Sequence, residues 1–257
     1  MTSLSEKLSI LKKAKIVFKN WLVYPLTYYN LISNDFIIFK TQTGKTIKIR
    51  KHSTDLMALT HVWLIEEYKK ENFEIKSNDI VIDVGAHIGL FTIYASQFCD
   101  KGTIYSFEPV EENYKLLLEN TTSNNLEHVK IFNLAVSNST ESIKLYINDD
   151  ESGHSMFSQS SNSLMVNSIS LKRIFDDNQI ERCNFLKLDC EGAEYEIIKN
   201  LPSSYFEKID KMVIEYHMAD THPELLTELK EILSNQNYKI ETKLLFPDIG
   251  FLYAIKN

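Results

Sequence analysis

A chain of 257 residues with 44% hydrophobic content can bury the core of one α/β domain with a modest extension, which excludes two large domains. Its formal charge of −7 argues against a nucleic-acid partner, although residues 1–77 hold 13 Lys/Arg against 7 Asp/Glu and form a basic end. Cys99, Cys183 and Cys190 lack metal-ligand spacing; with no disulfide framework, membrane-length apolar run or signal-peptide core, the default location is cytoplasmic.

In chain order, Leu4, Leu8, Leu11, Phe18 and Trp21 recur at helical spacing, with Lys12, Lys15 and Lys19 on another side. The pattern predicts a helix over 4–21 that Pro25 closes. Residues 4–22 suit peripheral contact with the anionic inner face of a membrane, or else packing on the chain's own cap or in a homodimer. A hairpin of 35–40 with 45–50 follows around Thr43-Gly44, and Ser53 or Asp55 then caps a helix running to about Tyr68. Together these make a small N-terminal cap, residues 1–77, ahead of a cofactor-binding domain, residues 78–257.

From Asn78 onward, strands are expected at 79–84, 103–107, 129–134, 184–189 and 211–216, with helices at 88–98, 111–122, 170–178, 193–200 and 223–235. This βαβ rhythm implies a mostly parallel sheet with helices on both faces. Tyr238–Lys243 and Phe251–Lys256, separated by Phe-Pro-Asp-Ile-Gly, read as a terminal antiparallel hairpin. The serine-rich stretch Asn148–Ser163 breaks the rhythm and is expected to be a loop near the site.

The chemistry begins where Ile80–Val84, a β-branched run, enters the turn Gly85-Ala-His-Ile-Gly89 and then a helix. Glycines there let the backbone approach a ligand at the carboxyl edge of the sheet, and Asp83 adds a carboxylate. The Gly-x-x-x-Gly spacing is not the Gly-x-Gly-x-x-Gly turn of a dinucleotide site, so a cofactor without phosphates is expected. Glu108 ends the next strand about twenty residues on, the offset at which a carboxylate reaches ribose hydroxyls. Asn133-Leu-Ala-Val-Ser137 then supplies small and apolar residues for an adenine slot. Lys187, on a central strand ending Asp189-Cys-Glu191-Gly, needs a partner among Asp83, Asp189 and Glu215, because an unpaired buried ammonium is costly. Glu215 and His217 end the following strand with period-two spacing, which brings both to one rim.

In this order and spacing, Val-Ile-Asp-Val-Gly-Ala-His-Ile-Gly, Phe-Glu-Pro, Asn-Leu-Ala-Val-Ser, Leu-Lys-Leu-Asp-Cys-Glu-Gly-Ala-Glu and Ile-Glu-Tyr-His resemble the FkbM family of S-adenosylmethionine-dependent methyltransferases. The likeness covers roughly residues 50–235. It implies a class I methyltransferase fold, Rossmann-like, and O-methylation of a hydroxyl, or a carboxylate, on a sugar, glycan, glycolipid or related natural product. By position it places Asp83, Gly85, Ala86, Gly89 and Glu108 on the cofactor, with Ala135 and Val136 near its adenine. His87 and Thr92 stand where the family commonly has Asn and Ser, and Arg50 to Asp55 loosely matches an Arg-x-x-x-Ser-x-Asp entry segment.

A sugar hydroxyl must lose a proton to accept methyl. Asp189, Glu215 and His217 are the candidate catalytic residues, with His217 or His154 as base, and His154 and Glu191 are expected on the acceptor. The alternative is Mg²⁺ on Asp189, Glu191 and Glu215, lowering the hydroxyl's pKa. A nicotinamide oxidoreductase and a non-catalytic cofactor-binding protein are the rival classes.

Overall fold

The computed structural model describes residues 4–147, 154–155 and 163–257. The chain opens with helices α1 (Leu4–Val17) and α2 (Val23–Tyr28), a hairpin of β1 (Phe36–Lys40) and β2 (Thr46–Arg50), and α3 (Asp55–Leu59), which continues as a π-helical segment over Thr60–Ile65. Next come β3 (Ile80–Val84), α4 (Leu90–Ala95), β4 (Thr103–Phe107), α5 (Glu111–Ser123), β5 (Val129–Phe132), β6 (Ala135–Ser137) and β7 (Ile143–Ile147). After β8 (His154–Ser155), β9 (Ser163–Val166) and β10 (Ser168–Ser170), the chain runs through α6 (Leu171–Asp177), β11 (Phe185–Leu188), α7 (Glu194–Lys199) and α8 (Ser203–Phe206). It ends with β12 (Lys211–Tyr216), α9 (Pro223–Asn235), β13 (Tyr238–Leu244) and β14 (Gly250–Lys256).

Seven strands form the central sheet in the order β13-β14-β12-β11-β3-β4-β5. Strands β5, β4, β3, β11 and β12 are parallel neighbours, and β14 enters antiparallel between β12 and β13. The order reverses between β3 and β11, so the crevice that such sheets use for ligands lies at the carboxyl ends of these two strands. This is the class I methyltransferase architecture, with its terminal antiparallel hairpin.

Strand alternation divides the core in two. Val81, Ile104, Phe185, Val213, Phe251 and Tyr253 face one side, where they meet α4 and the cap residues Phe18, Phe39, Ile47, Ile49 and Trp63. Ile82, Phe107, Leu186, Leu188, Met212 and Ile214 face the other, against residues of α6, α7 and α9. The cap therefore completes the hydrophobic layer on one face of the sheet, each fully buried side chain contributing about 1.5–3 kcal/mol. Its hairpin shows the pattern plainly: Ile37, Phe39, Ile47 and Ile49 are buried while Phe36, Ile38 and Lys40 are exposed.

Several boundaries differ from expectation. The first helix ends at Val17, where Phe18 leaves it to bridge Thr41. Pro25 stands inside the first turn of α2 instead of closing α1, a position where the missing N–H costs nothing. Leu8, assigned to the packing stripe, is 52% exposed, and Ala14 and Phe18 are the buried members. The expected strand 129–134 ends at Phe132, and β6, just beyond it, lies outside the main sheet and pairs in parallel with β10. Strands β7, β8 and β9 form a three-stranded antiparallel sheet that the sequence pattern did not reveal. The expected loop 148–163 lies outside the described residues except at His154–Ser155 and Ser163. Among the described residues, no helix is long and apolar enough to cross a membrane.

Candidate active site

A cavity of about 790 Å³ opens over the carboxyl ends of β3, β4, β11 and β12, within the size range of small-molecule sites. Its floor is the turn after β3. Gly85 has φ 73, and a Cβ there would sit 1.7 Å from the carbonyl oxygen of Asp189, so only glycine lets β3 and β11 end this close together. Ala86 and His87 continue the floor along the cavity.

At one end, the Glu108 carboxylate accepts hydrogen bonds from the main-chain N–H groups of His87 at 2.8 Å and Val110 at 2.9 Å. Beside it, Ala135, Val136, Ile143, Leu145 and Leu164 give an apolar wall. At the other end stand Asp189, Glu191, Glu215 and His217. Asp189, Glu215 and His217 each bring a ligand-type atom within 4.8 Å of the others. Parallel register explains their meeting: Leu188 pairs with Ile214, so the residues just past β11 and at the end of β12 arrive together.

Beneath this rim, Lys187 Nζ lies 3.1 Å from Asp83 Oδ1 and 3.4 Å from Asp189 Oδ2, and donates to the Gly85 carbonyl at 2.8 Å. The expected partner is thus in place. Asp83 itself is fully buried, takes a 2.7 Å hydrogen bond from Thr92 Oγ1 and does not line the cavity. Gly89 is likewise off the wall, packed on Leu117. These two residues were expected on the cofactor; neither lines the cavity, because Asp83 turns to Lys187 and Thr92 and Gly89 packs on Leu117.

With floor, apolar wall and acidic rim in place, the match to known proteins is decisive: residues 83–240, more than half of the chain, match the methyltransferase FkbM domain. The chain belongs to the FkbM methyltransferase family. It is 27% identical over 174 residues to methyltransferase sdnD of Sordaria araneosa, covering 55% of this chain and 67% of that one. To the hexuronic acid methyltransferase AglP of Haloferax volcanii it is 21% identical over 181 residues, covering 68% and 73%. The fibrillarin pre-rRNA processing protein of Methanococcus jannaschii shares the fold, with a TM-score of 0.52 at 17% identity, over 86% of this chain and 83% of that one. This FkbM protein is an S-adenosylmethionine-dependent methyltransferase, which sets the oxidoreductase alternative aside.

The charges of the FkbM rim are strongly coupled. Burial disfavours the Lys187 ammonium, but Asp83 and Asp189 outweigh it and hold the pKa above the usual lysine range. Burial pushes Glu191 up to about 7, with Asp189 and Glu194 adding to the rise and His217 opposing it. Glu215 is raised well above the usual carboxylate range by burial and by Asp189. For His217, burial favours the neutral ring, yet Glu194, Glu191 and Asp189 together raise it to about 10. Its Nδ1 meets Glu194 Oε1 at 3.1 Å and its Nε2 meets Glu191 Oε2 at 3.5 Å. The expected general base is therefore an imidazolium at neutral pH, because three carboxylates surround it.

Two further observations bear on the acceptor and metal sets. His154 sits in β8, paired with Ile147, and its side chain lies outside the described residues. The expected metal set held Glu191, whereas among the described residues the converging group has His217 in its place. The sequence reading also missed Tyr68, whose hydroxyl is shared between Asp189 Oδ2 at 3.3 Å and Glu215 Oε2 at 3.4 Å. Nor did it foresee that His87 Nε2 lies 3.1 Å from Arg50 Nη2.

Proposed function

We propose that this methyltransferase acts on oxygen, transferring methyl to a hydroxyl of a sugar or glycan. The observation that carries the reading is the convergence of Asp189, Glu215 and His217 within 4.8 Å at the strand ends, with Glu191 beside them. Such a rim can accept hydrogen bonds from several hydroxyls at once and take up a proton. The AglP relative, a hexuronic acid methyltransferase, supports a sugar acceptor.

S-adenosylmethionine supplies a methyl group made electrophilic by its sulfonium. The residues fit that cofactor: the buried carboxylate of Glu108 would hold the ribose diol, Gly85 and Ala86 offer bare backbone at the floor, and Ala135 and Val136 would wall the adenine. Burial raises Glu108 to about 7 despite its backbone hydrogen bonds, and diol donors reward its charged form. Glu191 is the proton acceptor, since a base with pKa near 7 is matched to neutral pH. Its neighbour His217, charged and held by buried Glu194, stabilises the Glu191 carboxylate. Asp189, Glu215 and Tyr68 orient the acceptor.

A divalent cation on Asp189, Glu215 and His217 is the second reading, favoured by the same convergence. In the first reading Lys187 and His217 already balance much of the rim's negative charge. Rate against pH, with and without EDTA, separates the two. A rate that falls as pH drops through about 7, following the pKa of Glu191, and that ignores EDTA supports proton transfer to the protein. Activity lost to EDTA and restored by Mg²⁺ supports the cation.

A further inference from the structure

Arg50 ends β2 on the cavity wall. Its main-chain N–H and Nε donate to Asp55 Oδ2 at 2.8 and 3.0 Å, and Nη2 donates to Asp55 Oδ1 at 2.8 Å. Asp55 is fully buried while Arg50 keeps 28% of its side chain exposed. Complete burial of a carboxylate is costly unless it is paired. Here that cost fixes the direction of a single guanidinium that borders the cavity.

His87 adds a second constraint. It is held in the left-handed region at φ 50, which an ordinary side chain adopts only under constraint. Its main-chain N–H donates to Glu108 at 2.8 Å and its ring lies 3.1 Å from Arg50 Nη2. One residue thus spans the interval between the acid assigned to ribose and the guanidinium. On the same wall, Lys187 pairs with Asp83 and Asp189, and Lys115 with Glu111 on its own helix.

We propose that Arg50, oriented by Asp55 and His87, binds the carboxylate at the methionyl end of S-adenosylmethionine. The inference rests on the assignment of this cavity to the cofactor. A guanidinium carries five donors in a planar fork, so it can serve Asp55 along one edge and a second carboxylate as well. The cofactor is charged in the sense the cavity offers, with cationic sulfonium and ammonium groups suited to the acidic rim and an anionic carboxylate suited to the cap side. A hexuronate acceptor carries the same carboxylate chemistry, and the test separates the two sources.

The test uses titration calorimetry to compare S-adenosylmethionine with its decarboxylated form and, in a separate arm, to titrate glucuronate. The proteins are the wild type, Arg50→Lys, and the double variant Arg50→Gln with Asp55→Asn, which leaves no buried charge unpaired. The wild type is expected to prefer the carboxylated ligand by about tenfold or more, the scale of a charge-assisted pair. The double variant should lose that preference while binding the decarboxylated ligand within about twofold of wild type, and Arg50→Lys should fall between. Parallel weakening of both ligands would make the cluster a structural latch and overturn the proposal. A preference that survives in the double variant would also overturn it, including the case in which only glucuronate binding is weakened, which would put an acceptor carboxylate on Arg50. A wild type that binds neither nucleoside would sink the cofactor assignment itself.

Discussion

The sheet side of the cavity gathers Asp189, Glu191, Glu215 and His217 from the ends of two adjacent parallel strands, and their charges remain in mutual tension: one acid at about 7, another raised well above the usual carboxylate range, and a histidine raised to about 10. The cap side gathers Arg50 and Asp55 across a short turn and closes them into a pair with three hydrogen bonds. Burial opposes ionisation of Asp55, yet the Arg50 contacts hold its pKa below the usual carboxylate range. A cluster whose protonation states lie near neutrality can move a proton, whereas one locked in a single charge state can only bind and orient. On the proposed function, the difference gives chemistry to the sheet side and recognition to the cap side.

The largest expected effect is on the sheet side. Glu191→Gln should lower kcat by about a hundredfold, the scale of losing a general base, while cofactor affinity stays near wild type. Steady-state kinetics beside calorimetry checks this, and a variant with wild-type kcat would move the proton acceptor to Asp189 or Glu215. Glu108→Ala should show the reverse split: roughly 1–3 kcal/mol of cofactor affinity lost through missing charge-assisted hydrogen bonds, with the pH dependence of kcat unchanged.

A third, smaller effect is on stability. His217 is raised from an ordinary value near 6.5 to about 10 in the folded protein. Its charged form therefore stabilises the fold fully below about pH 6.5, and this contribution is lost as pH rises through about 10. The gap in unfolding free energy between wild type and His217→Gln should narrow across that window, read by denaturant melts. Tyr68→Phe should have the smallest effect, a few-fold in kcat/KM, since it removes one weak shared hydrogen bond to Asp189 and Glu215.

The sheet side was legible in the sequence because adjacent parallel strands fix which ends meet. The βαβ rhythm gave β3, β11 and β12, and the register then brought Asp83 to Lys187 and Asp189 to Glu215. The cap side was not legible in the same way. Arg50 and Asp55 are near in sequence, but their contact with His87 and the arrival of Tyr68 depend on how the cap packs on the sheet. The spacing Arg50 to Asp55 was the signal, and it carried no role until His87 joined it. The charge at His217 was not legible for a different reason: Glu194, at the start of α7 and fully buried, meets the ring at 3.1 Å and raises its pKa.

The most direct test of the account is the fate of the methyl group. The protein would be incubated with methyl-¹³C-labelled S-adenosylmethionine and a panel of neutral and acidic oligosaccharides, and the products examined by carbon NMR. The account predicts label on an oxygen of the sugar, with transfer lost in Glu191→Gln. Label on nitrogen, or tight cofactor binding with no transfer to any hydroxyl-bearing acceptor, would contradict it.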